Sequence, residues 1–135
     1  MEFVKNPTIL YMDDDADDIQ MLQDAFFAIH PHYHITQASN GEEGLNYLHN
    51  MKGREHLPCL IILDLNMPKL NGKEVFRLIK SDDKLCSVPI VIFSTSDSPA
   101  DKAFFHDNNT EYIIKPVCFS HFIEVAKRLL RYCAN

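Results

Sequence analysis

PCLIILDLNMPKLNG, Pro58 to Gly72, is the stretch on which the fold turns. Leu60, Ile61, Ile62 and Leu63 form an apolar run with no polar alternation, the pattern of a strand buried on both faces. The run stops on an acid, Asp64, and Asn66, Pro68 and Gly72 follow with the composition of a turn. Runs of this kind recur along the chain, as TILYM (8–12), YHIT (33–36), CLIIL (59–63) itself, PIVIF (89–93) and EYIIK (111–115). Strands of this kind separated by helical patterns indicate a parallel sheet covered on both sides.

The intervening segments have helical periodicity. Ile19, Leu22, Phe26 and Ile29 share one face, as do Phe122, Ala126, Leu129 and Cys133 near the end of the chain. Residues 40–50, 72–82 and 98–108 supply three more helices, the last with Ser98 as N-cap and Pro99 at the first helical position. The reading is a doubly wound α/β fold, (βα)5. With 135 residues, 46% of them hydrophobic, it predicts one domain with a core spanning about 7–133 and no output domain.

A net charge of -6 without a basic stripe argues against a nucleic-acid surface. Four dispersed cysteines, Cys59, Cys86, Cys118 and Cys133, with no CxxC pair, read as reduced thiols. Neither a signal peptide nor a membrane-spanning apolar run is evident, so a cytoplasmic protein is expected.

In such a sheet the carboxyl ends of the strands share one edge, where ligands bind. The first strand ends in Asp13 and Asp14, the third in Asp64, the fourth in Ser94 and Thr95, and the fifth in Lys115 and Pro116, whereas the second ends in Gln37. Carboxylates gathered at one edge repel unless a hard cation joins them, and Mg²⁺ accepts such oxygen ligands. A hydroxyl and a lysine beside them suit the negative oxygens of a transferring phosphoryl group.

These residues resemble a family, the receiver domain of two-component response regulators (the CheY class). The resemblance rests on ILYMDDD, LIILDLNMPKLNG, IVIFSTS and YIIKP in that order, and it covers essentially the whole chain. It implies a flavodoxin-like sheet of strand order 2-1-3-4-5. It implies that Asp64 accepts a phosphoryl group from a phosphohistidine of a histidine kinase or histidine phosphotransfer protein, and that Asp13, Asp14, Asp64 and the backbone carbonyl of Asn66 hold Mg²⁺. By the same resemblance Ser94 and Lys115 contact phosphoryl oxygens, Ser94 and Tyr112 form the switch, and the Lys115–Pro116 bond is cis. The face formed by the fourth helix, fifth strand and fifth helix would serve a downstream partner or a homodimer.

Two positions depart from the family pattern. Asn109 stands where glycine is usual, three residues before Tyr112, and asparagine tolerates a left-handed backbone. Thr95 is bulkier than the usual small residue and is expected to narrow access to the phosphoryl group.

Simpler readings attach to other residues. Asp15, Asp17 and Asp18 read as helix-capping acids, and His30, His32 and His34 as solvent-facing or locally satisfied histidines. Phe104 and Phe105 cannot both face the core, and Phe119, Ile123 and Leu130 lie outside the main stripe of the last helix. A phosphatase of the haloacid-dehalogenase type is the competing reading. It needs a second acid two residues after the nucleophile, where this chain has Asn66, whose amide cannot act as acid or base. A receiver retained only for interactions is a third reading, weakened because every site position holds a competent residue.

Overall fold

The computed structural model describes residues 8–54 and 56–133. The expected core boundary at position 7 lies outside them. Strands β1 (Thr8–Met12), β2 (His34–Ala38), β3 (Leu60–Leu63), β4 (Ile90–Ser94) and β5 (Glu111–Ile114) form one parallel sheet in the order β2-β1-β3-β4-β5. Helices α1 (Ala16–Ile29), α2 (Gly41–Gly53), α3 (Gly72–Lys80), α4 (Pro99–Asp107) and α5 (Phe119–Leu130) cover it.

Strand parity sorts the core into two layers, because successive side chains point to opposite faces. Ile9 and Tyr11 of β1, Leu60 and Ile62 of β3, and Val91 and Phe93 of β4 pack against Leu22 and Phe26 of α1 and Phe122 and Leu129 of α5. The alternate residues Leu10, Met12, Ile61, Leu63, Ile90 and Ile92 meet α2, α3 and Phe105 of α4. Both faces of β3 are thereby filled, which explains its unbroken apolar run.

Local chemistry starts the helices where the sequence indicates. Asp15, Asn40, Asn71 and Ser98 each accept hydrogen bonds from backbone N–H groups of the first turn. Asn109 adopts φ 55°, the left-handed conformation anticipated for it.

Several expectations are corrected. Strand β2 begins and ends later than YHIT and includes Gln37 and Ala38, α2 continues to Gly53, and a 3₁₀ turn at Leu85–Ser87 precedes β4. Cys133 lies beyond the end of α5 and is joined to Cys59 in a disulfide, so these two cysteines are not the free thiols expected. Their pairing follows from topology: the residue before β3 and the turn after α5 reach the same edge of the sheet, which spacing in sequence does not show. Cys86 and Cys118 are free and exposed. The Lys115–Pro116 bond is trans, the isomer a prolyl bond intrinsically favours.

Phe105 is fully buried, whereas Phe104 is half-buried beneath Lys73 and Arg77, whose cationic groups lie 5.3 and 5.1 Å from its ring centre. Ile123 and Leu130 pack partly against the core, while Phe119 remains exposed. His30, His32 and His34 are exposed, with His30 edge-on to His32 and Tyr33.

Candidate functional site

The sheet carries its ladder one residue past the strand ends, and Asp13, Asp64 and Lys115 occupy those extra positions. Asp13 N–H bonds to Ala38 O at 3.0 Å, Asp64 N–H to Met12 O at 3.0 Å, and Lys115 N–H to Ser94 O at 2.9 Å. Each side chain is therefore fixed to a neighbouring strand before its own contacts are counted. The loop after Asp64 closes by a three-residue turn, with Leu70 N–H bonded to Pro68 O at 3.0 Å across Lys69 at φ 71°. Gly72, the first residue of α3, lies so close to this loop that an added Cβ would come within 2.7 Å of both Asp64 O and Leu65 Cα. Its role is close approach of helix to strand end, more than the turn itself.

Asp13, Asp14 and Asp64 each offer a carboxylate oxygen within 4.8 Å of the others. Asp13 and Asp64 are buried, and Asp14 is exposed at the mouth. Lys115 Nζ lies 2.6 Å from Asp13 Oδ2, 2.8 Å from Asp18 Oδ2 and 3.5 Å from Asp64 Oδ2. One ammonium thus faces several carboxylates, and negative charge remains in excess. Burial, and then the charge of Asp13, push the Asp64 carboxyl up from its ordinary value, against the lowering influence of Lys115, the Ser94 hydroxyl and the Asn66 backbone N–H. Burial alone would lower Lys115, but its hydrogen bonds to Asp13 and Asp18 and the charge of Asp64 hold it above its ordinary value. It is cationic at neutral pH. An all-oxygen, net-negative cluster with one open side fits a small hard divalent cation.

Ser94 is fully buried at the end of β4, and Thr95 beside it is exposed. The Ser94 hydroxyl oxygen accepts from Ser96 N–H at 3.2 Å. Ser96 in turn donates its hydroxyl to Asp101 Oδ2 at 3.1 Å, and its carbonyl accepts from the Tyr112 phenol at 2.7 Å. Tyr112 is half-buried with its ring 6.1 Å from that of Phe105. Asp101 also binds Lys73 Nζ at 2.7 Å, and this pairing, with the Ser96 bond, holds its carboxyl below the usual range. The structure thus brings Asp13, Asp14, Asp64 and Lys115 into one cluster and ties Ser94 to Tyr112 through Ser96. Asn66 is exposed two residues beyond Asp64.

Two residues of this site escape the sequence reading. Asp18 is a partner of Lys115 rather than a cap; Asp15 alone performs the capping, accepting from Asp17 N–H and Asp18 N–H. Tyr11, counted within an apolar strand, is fully buried and donates its phenol to Asp13 Oδ2 at 2.7 Å. Burial first, and then the charge of Asp13 and its hydrogen bond, raise the Tyr11 phenol far above its ordinary value, so it remains a donor. Its spacing of two from Asp13, on one face of a strand, is the signal that could have revealed it.

A five-stranded 2-1-3-4-5 sheet with acids after β1 and β3, a hydroxyl at the end of β4 and a lysine after β5 defines a receiver. The chain belongs to the response regulator receiver domain family, whose model matches residues 9–127, and it is accordingly a receiver of two-component signalling. Among curated relatives, it is 31% identical to the probable methanogenesis regulatory protein FilR2 of Methanothrix harundinacea, over 92% of this chain and 81% of that protein. It is 28% identical to the polar-differentiation response regulator DivK of Brucella anthropi, over 91% and 95% of the two chains. Among solved structures, the phosphorylated cyanobacterial phytochrome response regulator RcpA superposes with a TM-score of 0.85 at 29% identity, covering 96% of this chain and 97% of that one. The response regulator RPA3017, in red light signalling of R. palustris, gives 0.81 at 26% identity, covering 93% and 92%.

Proposed function

We propose that this receiver is a phosphorylation-driven switch in which Asp64 takes a phosphoryl group from a phosphohistidine of a histidine kinase or histidine phosphotransfer protein. The observation that carries the proposal is the placement of Asp64: a buried carboxylate at the end of the central strand, beside Asp13 and Asp14 and 3.5 Å from the Lys115 ammonium. A carboxylate oxygen of Asp64 attacks phosphorus, the P–N bond breaks, and its electron pair leaves with the imidazole; the product is an acyl phosphate on Asp64. Transfer of this kind requires positioning and charge neutralisation more than a base.

Asp13, Asp14, Asp64 and the backbone carbonyl of Asn66 would hold Mg²⁺, which when bound supplies positive charge to the oxygens of the transferring group. Lys115 directs its ammonium at the same oxygens, and Ser94 offers its hydroxyl to another. By these contacts the chain assists its own phosphorylation and dephosphorylation. Thr95, exposed beside Ser94, slows hydrolysis by crowding the approach of water, so a Thr95→Ala chain loses its phosphoryl group faster.

The hydrogen bonds already present support such a switch. Drawing Ser94 toward a phosphoryl oxygen displaces Ser96, and with it the carbonyl that Tyr112 grips and the hydroxyl that Asp101 accepts. A shift between two packings of the 94–98 loop then reaches α4 and β5. The α4-β5-α5 face carries exposed Ile114 and a groove lined by Ala103, Tyr112, Ile114 and Val125, which supports its use for a downstream protein or a homodimer. Phosphorylation of the similar protein RcpA supports the same reading. Among the described residues no helix is long and apolar enough to cross a membrane, and we place the switch in the cytoplasm with the phosphohistidine donor.

Incubation with Mg²⁺ and a small acyl-phosphate donor, followed by intact mass, tests the proposal. One phosphoryl group is added to the native chain and none to Asp64→Asn; no addition, or addition retained in that variant, overturns it.

A further inference from the structure

Among the buried residues of its core layer, Tyr11 is the polar side chain. Its β1 neighbour on that face is Ile9, and across the sheet lie Leu60, Ile62, Val91 and Phe93. The Tyr11 ring is tilted against Phe93 at 6.1 Å between centroids. A phenylalanine would fill this volume without bringing a hydroxyl into the core, and a buried hydroxyl costs stability unless it is hydrogen-bonded. The hydroxyl is bonded, to one oxygen of Asp13.

The bonds around Asp13 show what the phenol accomplishes. Oδ1 accepts from Asp15 N–H at 2.9 Å, while Oδ2 accepts from Tyr11 at 2.7 Å and from Lys115 at 2.6 Å. Three donors on two oxygens fix the plane of a carboxylate that is wholly removed from solvent. Two of those donors are rigid, one being backbone and the other a tyrosine locked in the core. The third is a lysine that also contacts Asp18 and Asp64. If Lys115 turns toward a phosphoryl group, Tyr11 is the side-chain donor left on Oδ2.

We propose that Tyr11 is a positioning residue for the cation site: its phenol holds the Asp13 carboxylate in ligating orientation from inside the core, both with and without Lys115. The inference rests on the cation-dependent phosphoacceptor reading above and adds to it a residue that no acidic motif contains. Donors behind a ligating carboxylate typically contribute 10–100-fold to metal affinity.

The test is a calorimetric titration of Mg²⁺ alone into the native protein, Tyr11→Phe, Asp13→Asn and Phe122→Leu. Phe122 packs in the same layer, against Phe93, and has no hydrogen bond to Asp13, so it reports on packing alone. The expected result is saturable binding by the native chain, loss in Asp13→Asn, weakening of about tenfold in Tyr11→Phe, and native affinity in Phe122→Leu. The chain has no tryptophan and five tyrosines, so its near-ultraviolet absorbance reports on phenols. Mg²⁺ should produce a tyrosine difference spectrum in the native protein that Tyr11→Phe largely lacks. Native binding with Tyr11→Phe unchanged within twofold overturns the positioning role and leaves the switch reading standing. Equal weakening in Phe122→Leu also overturns it, assigning the effect to packing. Absence of Mg²⁺ binding by the native chain overturns the cation reading and this inference together.

Discussion

Asp64 is ionised at a cost. Its carboxyl is raised from the ordinary 3.8 chiefly by burial and then by Asp13, so the folded chain holds that proton more tightly than the unfolded chain does. For an acid shifted upward, the cost is absent below the ordinary value and grows as pH rises through and above it. Asparagine at this position never ionises. Without divalent cations, Asp64→Asn should therefore be more stable than the native chain at pH 7. Thermal melts across pH should show the advantage shrinking toward pH 4; a variant less stable at pH 7, or a difference independent of pH, would contradict this. Under the proposed function the site tolerates an unfavourable charge because that charge would be its reagent. At this scale the gathering of Asp13, Asp14, Asp64, Ser94 and Lys115 at one edge was legible, because strand ends in a parallel sheet must meet there. Asp18 and Tyr11 were not. A helix-start aspartate looks the same in sequence whether it caps or pairs, and a tyrosine in an apolar run looks like core.

Elements position these residues through close backbone approach. The N-terminus of α3 presses against the end of β3, and Gly72 is the contact; the atoms a Cβ would strike, Asp64 O and Leu65 Cα, are backbone and cannot rotate away. Gly72→Ala should cost about 1–3 kcal/mol, the usual range for overpacking, and should slow phosphorylation because the displaced segment carries Asp64. Gly53, at the end of α2, has nothing within 4 Å of a built Cβ. Gly53→Ala should be neutral or stabilising by up to about 1 kcal/mol. Denaturant midpoints for the pair measure the contrast, and equal effects would refute the close-approach argument. Element existence was readable from periodicity, and the order of the sheet from the resemblance. The exact bounds of β2 and α2, and the 3₁₀ turn at Leu85–Ser87, depend on tertiary packing and on Asp82, whose Oδ1 accepts from Lys84 N–H and Leu85 N–H. No periodicity encodes those bonds.

Over the whole molecule, the candidate site and the disulfide occupy opposite edges of the sheet. Asp13, Asp64 and Lys115 follow the carboxyl ends of their strands, whereas Cys59 precedes β3 and bonds to Cys133 beyond α5, 74 residues away in sequence. Cysteine spacing could not reveal the pair, because only the winding of α5 back across the sheet brings the two thiols together. Five residues of extended chain, roughly 16 Å, separate Cys59 from Asp64. A link at that remove constrains the unfolded chain without touching the edge that carries Asp64. In the chain-entropy account, closing a loop of this length contributes up to about 4 kcal/mol. Oxidised native protein should therefore resist denaturant more than either reduced native protein or Cys133→Ser, and those two should match. All three should accept a phosphoryl group on Asp64 at the same initial rate from a small acyl-phosphate donor. Identical midpoints for oxidised native chain and Cys133→Ser would show that the disulfide contributes no stability, and a slower rate in the reduced forms would show that the two edges are coupled.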